Sequence, residues 1–329
     1  MARANSLYAL SDRPPRSKRE MYMNSIARIL AATDLSDNSM AALHTSVLLA
    51  ELYQAELHVV TVVPARQGNT EDLLGKARKT IEVRAADELA KLCARLKKSP
   101  VNVQTRVVTG EVVPTVLQLA HDLKIDLTVA GTRGMGSKDL GSIGGVAERL
   151  AHAAATDVLL VRPDHSDLFN HICVAVDFSE LSVMALKRAA EIARLMKVKE
   201  LKLLHVLHLP DEYWLTGLSE KESLAKLSGF ARQHMQEAVA GAGLKSLQTV
   251  ECYEEGKPAE TLARMAVANK ADLLVMGSHG GTAASSAVVG SVAAKTIRAI
   301  PASLWIETDP KFKLGFLRAL GKLMGLVND

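Results

Sequence analysis

The stretch Ile29–Ser36 reads ILAATDLS, and a closely similar stretch, ICVAVDFS, occupies Ile172–Ser179. In both, an apolar run leads into an aspartate, Asp34 in the first and Asp177 in the second, and 143 residues separate the two (177 − 34). Short apolar runs that end in turn-forming residues are typical of buried parallel strands. Their recurrence predicts that the chain repeats one structural unit.

A second pair of similar segments lies further along the chain. Residues 109–134 read TGEVVPTVLQLAHDLKIDLTVAGTRG, and residues 254–280 read EEGKPAETLARMAVANKADLLVMGSHG. Here the separation is 146 residues, as between Gly131 and Gly277 (277 − 131), so three residues are inserted between the two blocks. Loops absorb a difference of this size at little cost. The duplication therefore spans most of both halves.

Within each half, short β-branched runs alternate with longer helical patterns, which is typical of βαβ units around a parallel sheet. We expect an α/β fold with two tandem, doubly wound, five-stranded parallel-sheet domains, at residues 25–163 and 164–309. The predicted strands of the first domain are Ile26–Thr33, Glu56–Val62, Val101–Val108, Asp126–Ala130 and Asp157–Val161. Those of the second are His171–Val176, Leu201–Val206, Leu247–Tyr253, Asp272–Met276 and Ser303–Ile306.

Composition excludes several classes of protein. Aromatic residues make up 4% of the chain and the formal charge is +4, so neither a base-stacking RNA binder nor a basic DNA-binding face is indicated, and we expect no nucleic-acid partner. The cysteines, Cys93, Cys173 and Cys252, are widely spaced, which argues against a disulfide framework or a zinc site. No apolar run approaches the length of a membrane span. We therefore expect a cytoplasmic protein.

A glycine-rich loop follows the fourth predicted strand of the second half. It reads Gly277, Ser278, His279, Gly280, then nine residues, then Gly290 and Ser291 at the start of a helix. Glycines let the backbone approach a phosphate, and a helix N-terminus offers unpaired N–H groups and partial positive charge. The competing interpretation is that the glycines only permit turns. His279 either contacts phosphate or is an ordinary exposed loop residue.

The first half has the same spacing with one chemical difference. Gly131, Thr132, Arg133 and Gly134 are followed by nine residues and then by Gly144 and Gly145, so the hydroxyl of the second half is missing. Recurrence of the spacing in both halves favours a phosphate site over simple turns. Arg133 has two interpretations, a flexible phosphate partner or a solvated loop arginine.

Each aspartate at the end of the first strand also has two interpretations. Asp34 and Asp177 either cap the helix that follows or accept hydrogen bonds from ligand hydroxyl or amine groups. In open parallel sheets, ligands bind beyond the carboxyl ends of the strands, where strand order reverses. That is where the aspartate and the glycine loop of one half are expected to meet.

Together, the glycine spacing, the first-strand aspartate and the closing strand resemble the universal stress protein family, whose ATP-binding members carry G-x2-G-x9-G-[ST]. The second half matches this pattern at every position, and Gly145 departs from it. The resemblance implies a Rossmann-like fold, a role as a stress-response regulator, and an adenine nucleotide, with or without Mg²⁺, as ligand. In the second half it implies contacts from Asp177, Val206, Gly277, Gly280, Gly290, Ser291 and Val292. The counterparts in the first half are Asp34, Val62, Gly131, Gly134, Gly144, Gly145 and Val146. His279 and Arg133 are further candidates because of their place in the two loops, not because of the resemblance.

The resemblance also implies how the halves assemble. Family members pair through the edge strand, so Val158–Val161 is expected beside Ser303–Ile306 as an internal pseudo-dimer. Pairing of two chains into a homodimer stays open at this point.

Enzyme activity is not indicated by a motif. The chain has no G-x4-G-K-[ST] element. Three alternatives remain: a nucleotide-sensing regulator with slow or no turnover, a hydrolase or transferase related to the adenine nucleotide α-hydrolases, and an interaction scaffold with vestigial sites.

The two ends differ from the repeats. Residues 1–24 are polar and basic, and we expect a disordered arm. Residues 310–329 repeat apolar residues at helical spacing between lysines and arginines, which predicts an amphipathic tail. Docking of this tail on the protein's own surface or on a second chain is preferred to membrane contact, because its glycines weaken an isolated helix.

Overall fold

The structure is a computed structural model. It describes residues 26–64, 71–96, 101–134, 143–165, 168–244, 247–280 and 289–308. In the first half the elements are β1 Arg28–Ala32, α1 Met40–Tyr53, β2 Glu56–Pro64, α2 Glu71–Leu96, β3 Val103–Gly110, α3 Val112–Asp122, β4 Leu127–Gly131, α4 Gly145–Ala153 and β5 Asp157–Val161. In the second half they are β6 Ile172–Ala175, α5 Glu180–Met196, β7 Glu200–Leu207, α6 Glu220–Gly241, β8 Gln248–Glu255, α7 Pro258–Ala268, β9 Leu273–Gly277, α8 Ser291–Ala299 and β10 Ser303–Glu307.

The strands form a single ten-stranded sheet in the order β3-β2-β1-β4-β5-β10-β9-β6-β7-β8. Within each half, all strand pairs are parallel. At the centre, β5 and β10 pair antiparallel, with Leu159 opposite Trp305. All five residues of each of these two strands are buried. The expected internal pseudo-dimer is therefore confirmed, and it covers two apolar edges that would otherwise be exposed to association.

Helices cover both faces of the sheet in two layers. One hydrophobic cluster joins β1 and β6 to residues of α1, α2, α5 and α6, and the other lies under α3, α4, α7 and α8. Each cluster runs through both halves. The predicted doubly wound α/β class is confirmed. Because β5 and β10 run in opposite directions, the strands of the first half and those of the second have their carboxyl ends on opposite sides of the sheet.

The duplication is visible in the backbone itself. Leu35 and Phe178, each directly after a first-strand aspartate, have φ values of 64° and 66°. Gln54 and Lys197, which end α1 and α5, have φ values of 54° and 59°. A residue with left-handed backbone conformation commonly follows a helix, but residues other than glycine adopt this conformation rarely. Its recurrence at equivalent positions shows that the two halves share the same turns.

Some expectations fall beyond what the structure describes. The basic arm at 1–24 and the amphipathic tail at 310–329 lie outside the described residues. Among the helices within the described ranges, none is long and apolar enough to cross a membrane.

Candidate functional site

The site of the first half is a cavity of about 310 Å³ at the carboxyl ends of β1 and β4. Its wall contains every residue proposed for this half: Val62, Asp34, Gly131, Arg133, Gly134, Gly144, Gly145 and Val146. Residues distant in sequence thus meet at the point where strand order reverses, between β1 and β4. Cavities that hold small molecules occupy this place in doubly wound sheets.

The first-strand aspartate is held by the turn that follows it. Asp34 Oδ1 accepts hydrogen bonds from the backbone N–H of Ser36 at 3.1 Å and from its hydroxyl at 2.6 Å. Asp177 Oδ1 accepts the same two bonds from Ser179, at 3.1 and 2.5 Å. The helix cap of the second half is Ser179, whose hydroxyl accepts from Ser182 N–H at 3.1 Å. Asp177 is therefore a turn residue rather than the cap of α5.

The other carboxylate oxygen faces the glycine loop in both halves. A Cβ atom built on Gly134 would lie 2.6 Å from Asp34 Oδ2, and one built on Gly280 would lie 2.6 Å from Asp177 Oδ2. Contacts below 3.0 Å do not occur between real Cβ atoms and their neighbours without a shift. The second glycine of the loop is therefore needed for the aspartate to approach it.

Backbone hydrogen bonds fix the loop between the sheet and the next helix. In the first half, Thr132 N–H donates to Val161 O at 2.8 Å, and Gly144 N–H donates to Thr132 O at 2.8 Å. In the second half, Ser278 N–H donates to Glu307 O at 2.9 Å, and Gly290 N–H donates to Ser278 O at 2.9 Å. Each loop is thus hydrogen-bonded to the seam strand of its own half, the first loop to β5 and the second to β10.

The helices that these loops enter begin without a side-chain cap. The N-caps of α4 and α8 are Gly144 and Gly290, and neither helix has a capping hydrogen bond from a side chain. The first N–H groups of an α-helix have no partner inside the helix. Both sites therefore present N–H groups without a partner inside the helix, together with the positive end of a helix dipole, which suits an anion.

The two loops differ in their central side chains. Arg133 is 4% exposed and lines the cavity, so the interpretation as a solvated loop arginine is wrong. Beside it, the buried Thr132 hydroxyl has no hydrogen-bond partner among the described residues. In the second half, His279 is half-buried, and its Nδ1 and the Ser278 hydroxyl form a hydrogen bond of 2.8 Å.

The walls of the second site are described only in part. Gly277 ends β9 and Gly280 lies three residues after it, Val206 lies near the end of β7, and Ser291 and Val292 are exposed at the start of α8. Residues 281–288 and, in the first half, 135–142 lie outside the described residues. The contacts from Gly280 to Asp177 and from Gly290 to Ser278 nevertheless bring the two ends of the motif together.

His205 of β7 supports the second site, although the glycine motif gave no sign of it. Its Nδ1 lies 2.7 Å from Val176 O, directly before Asp177, and its ring packs on Phe178 with 4.5 Å between centroids. Burial lowers the pKa of His205, and the hydrogen bond with Val176 opposes that shift. A neutral ring therefore braces the turn that carries the aspartate.

The first site contains further residues that the motif did not reveal. Asn38 Nδ2 donates to Gly134 O at 3.2 Å, which ties the start of α1 to the loop. Apolar side chains complete the cavity: Val60, Val112, Val116 and Leu150. The one signal for Asn38 was its position four residues after Asp34, but Leu181 occupies the equivalent place in the second half, so the repeat did not mark it.

Comparison with known proteins agrees with this geometry. The model of the universal stress protein family matches residues 25–162 and again residues 168–306. The chain belongs to the universal stress protein family. Its two matches correspond to the two halves of the sheet, so it is a member with two universal stress protein units in tandem.

Individual relatives match one unit at a time. Universal stress protein A homolog 1 of Coxiella burnetii is 34% identical over 138 residues, which is 40% of this chain and 94% of the relative. A universal stress protein of Methanocaldococcus jannaschii is 27% identical over 149 residues, 44% of this chain and 85% of the relative.

Solved structures match both units together. A universal stress protein from Archaeoglobus fulgidus has a TM-score of 0.63 at 20% identity, covering 85% of this chain and 98% of that one. A protein from Pseudomonas aeruginosa has a TM-score of 0.69 at 17% identity, covering 91% and 98%. At these identities the comparison shows a shared fold alone.

Proposed function

We propose that this universal stress protein binds an adenine nucleotide, ATP foremost, and acts as a nucleotide-sensing regulator of a stress response. The observation that carries the proposal is that, in both halves, the aspartate lies so close to the second loop glycine that a Cβ atom there would be 2.6 Å from Oδ2. The helix that follows each loop begins without a side-chain cap. A fixed carboxylate suits ribose hydroxyls, while helix N–H groups suit phosphate. One site thus offers both kinds of contact that a nucleotide requires.

The cavity of the first half supports a ligand with an apolar, flat component. Val60, Val62 and Val116 line it opposite the polar loop, and its volume of about 310 Å³ lies at the lower end of small-molecule sites. An adenine ring would be held against the valines near β2, and the phosphates against Gly144 and Gly145. Asp34 would accept hydrogen bonds from the ribose.

The second half has the better chemistry for a polyphosphate. Ser291 places a hydroxyl beside the N–H of Val292 at the exposed start of α8, and His279 stands at the loop. In the first half Gly145 has no hydroxyl, and the loss of a hydrogen bond to a charged oxygen costs about 1.5 to 3 kcal/mol. Arg133 supplies a cation there instead. We therefore propose unequal occupancy, with ATP favoured by the second site.

The ion that accompanies the nucleotide is part of the same proposal. Mg²⁺ usually keeps several waters and binds through substrate phosphates rather than through a protein cage. When bound, it would supply neutralising charge to the phosphates. Within the described ranges, no group of three or more His, Cys, Asp or Glu side chains is placed to hold a metal ion.

Family membership supports the proposed regulatory role, and the three free cysteines are compatible with a reducing compartment, for which we propose the cytoplasm. The first test is release of nucleotide: purified protein is denatured, and the supernatant is analysed by absorbance and mass. Protein that neither carries nor takes up an adenine nucleotide would leave the scaffold alternative in place.

The second test addresses unequal occupancy. Calorimetric titration with ATP, with and without Mg²⁺, is compared for Ser291→Ala, Asp34→Ala and Gly145→Ser. Serine fits at Gly145 because a Cβ there meets no atom within 4 Å. We expect Ser291→Ala to weaken the tight site, Asp34→Ala to leave it unchanged, and Gly145→Ser to strengthen the second binding event. Equal losses from the first two variants would rule out unequal occupancy.

A further inference from the structure

The seam between the two halves contains a buried charge cluster centred on Arg188. This side chain of α5 is 2% exposed and donates from Nε to Glu307 at 3.1 Å, from Nη2 to Asp157 at 3.2 Å and from Nη1 to Glu191 at 2.6 Å. Its guanidinium also lies 5.5 Å from the ring centroid of Trp305. Three of the four charged groups belong to the second half, and Asp157 belongs to the first.

Asp157 is surrounded by groups from the opposite half. Val158 pairs with Ile306 across the seam, so the next residues along, Asp157 and Glu307, also stand opposite each other. Asp157 Oδ1 accepts from the backbone N–H of Thr308 at 3.1 Å. Two carboxyl groups directly opposite on antiparallel strands disfavour each other's ionisation. Arg188 favours the ionised form of both because it contacts both.

The other end of the seam is equivalent by the repeat, but the residues described there do not form a corresponding charge cluster. Ser303 takes the place of Asp157, and Val161 takes that of Glu307, by the separation of 146 residues. Thr45 of α1 takes the place of Arg188, by the separation of 143. The hydrogen bond from Thr308 N–H to Asp157 has a counterpart here, since Arg162 N–H donates to the Ser303 hydroxyl at 3.2 Å. The fold repeats at this end, whereas the electrostatics do not.

This asymmetry has a consequence for pairing of like halves. If β5 paired with β5 of a second chain about the same axis, Asp157 would face Val161, and Thr45 would stand where Arg188 is needed. The carboxylate would be buried without a cation. Removing the partner of a buried charge is strongly destabilising. Pairing of two second halves is less affected, because Arg188 keeps Glu307 and Glu191.

We propose that the Asp157–Arg188 contact makes the seam selective for unlike halves: the β5 edge accepts a unit that carries a buried arginine on its first helix and rejects a second copy of itself. The partner that fits this edge is thus a universal stress protein unit of the second-half type, in the same chain or in another. The selectivity is independent of nucleotide binding. The contact disfavours the pairing of two first halves, in addition to any affinity that it adds between unlike halves.

The test uses the complete chain with a protease site inserted after Asp164. The folded protein is cleaved, unfolded in urea and refolded by dilution, so that the halves choose partners again, and native mass spectrometry counts the three pairings. We expect the unlike pair alone, with a preference of at least about 100-fold over paired first halves. In Asp157→Ser, which copies Ser303, paired first halves are expected to appear in amounts comparable with the unlike pair.

Two further variants keep the result interpretable. Asp157→Asn removes the charge at constant shape and is expected to act like Asp157→Ser, with refolding checked by far-ultraviolet circular dichroism. Ser303→Ala changes the equivalent position at the neutral end and is expected to leave only the unlike pair. Paired first halves in the unsubstituted protein, or none in either Asp157 variant, would overturn the proposal.

Discussion

Alanine at Gly280 would place a methyl group against the carboxylate that we assign to the ribose. The resulting contact of 2.6 Å with Asp177 Oδ2 must lengthen to an ordinary 3.4 Å, so the oxygen moves by about 0.8 Å. Ser179 holds the other carboxylate oxygen, so the carboxylate has to rotate out of its turn. The displaced atom is the end of an exposed side chain, so we expect little loss of folding stability.

The effect on ligand binding is expected to be larger. A hydrogen bond to a charged group contributes about 1.5 to 3 kcal/mol, which corresponds to about a 10- to 150-fold increase in Kd at the second site. Calorimetric titration with ATP measures this, and the stoichiometry separates the tight site from the weaker one. The first site is expected to keep its affinity.

A matched control is available in a glycine far from both sites. Gly229 lies within α6, and a Cβ there meets no atom within 4 Å. Gly229→Ala is expected to leave ATP binding unchanged and to stabilise the helix by about 0.5 to 1 kcal/mol. If folded Gly280→Ala binds ATP as the unsubstituted protein does, Asp177 does not contact the ligand and the assignment of the site is wrong.

Three further predictions concern the seam and the first site. Burial and then the neighbouring Asp157 raise the pKa of Glu307 to about 8 from 4.5. The folded chain therefore holds this proton more tightly, and the stability that it contributes is complete below about pH 4.5 and is lost as the pH rises towards 8, by up to about 1.4 kcal/mol per pH unit. Urea unfolding between pH 5 and 9 should show this slope, Glu307→Gln should flatten it, and equal slopes would refute the assignment. Arg188→Met is expected to cost about 3 to 5 kcal/mol in free energy of unfolding because it leaves the buried carboxylate of Asp157 without its cation. Arg188→Met combined with Asp157→Ser and Glu307→Val should recover most of that loss; no recovery would place the cost in packing. Thr132→Val removes a buried hydroxyl that has no partner among the described residues, so it should leave stability unchanged or raise it by up to about 1 kcal/mol while weakening any ligand of the first site; a clear loss of thermal stability would contradict this.

Much of the fold was predictable because the signals are local or repeated. The alternation of apolar runs and helical patterns predicted all ten strands within a few residues of their observed bounds, and the repeat of ILAATD as ICVAVD predicted two equivalent halves. The meeting of Asp34 with Gly134 followed from the rule that parallel strands present their carboxyl ends at one edge. Pairing of β5 with β10 required the family resemblance.

The parts that escaped prediction depend on three-dimensional neighbours. Burial of Arg133 was not readable, because an arginine between two glycines looks the same in a solvated loop. Asn38 has no equivalent in the second half, so the comparison of repeats gave no signal. The cluster around Arg188 joins side chains from both halves and distant parts of the sequence, and charges that come together only through tertiary structure leave no spacing pattern.

The antiparallel seam also determines how other molecules can reach this protein. The cavity of the first half and the loop of the second lie at opposite ends of the strands of one sheet, since the strands of the two halves run in opposite directions. A compact molecule that contacts one of these two sides leaves the other side accessible. Any coupling between the two loops has to cross β5 and β10, because each loop is hydrogen-bonded to one of these strands.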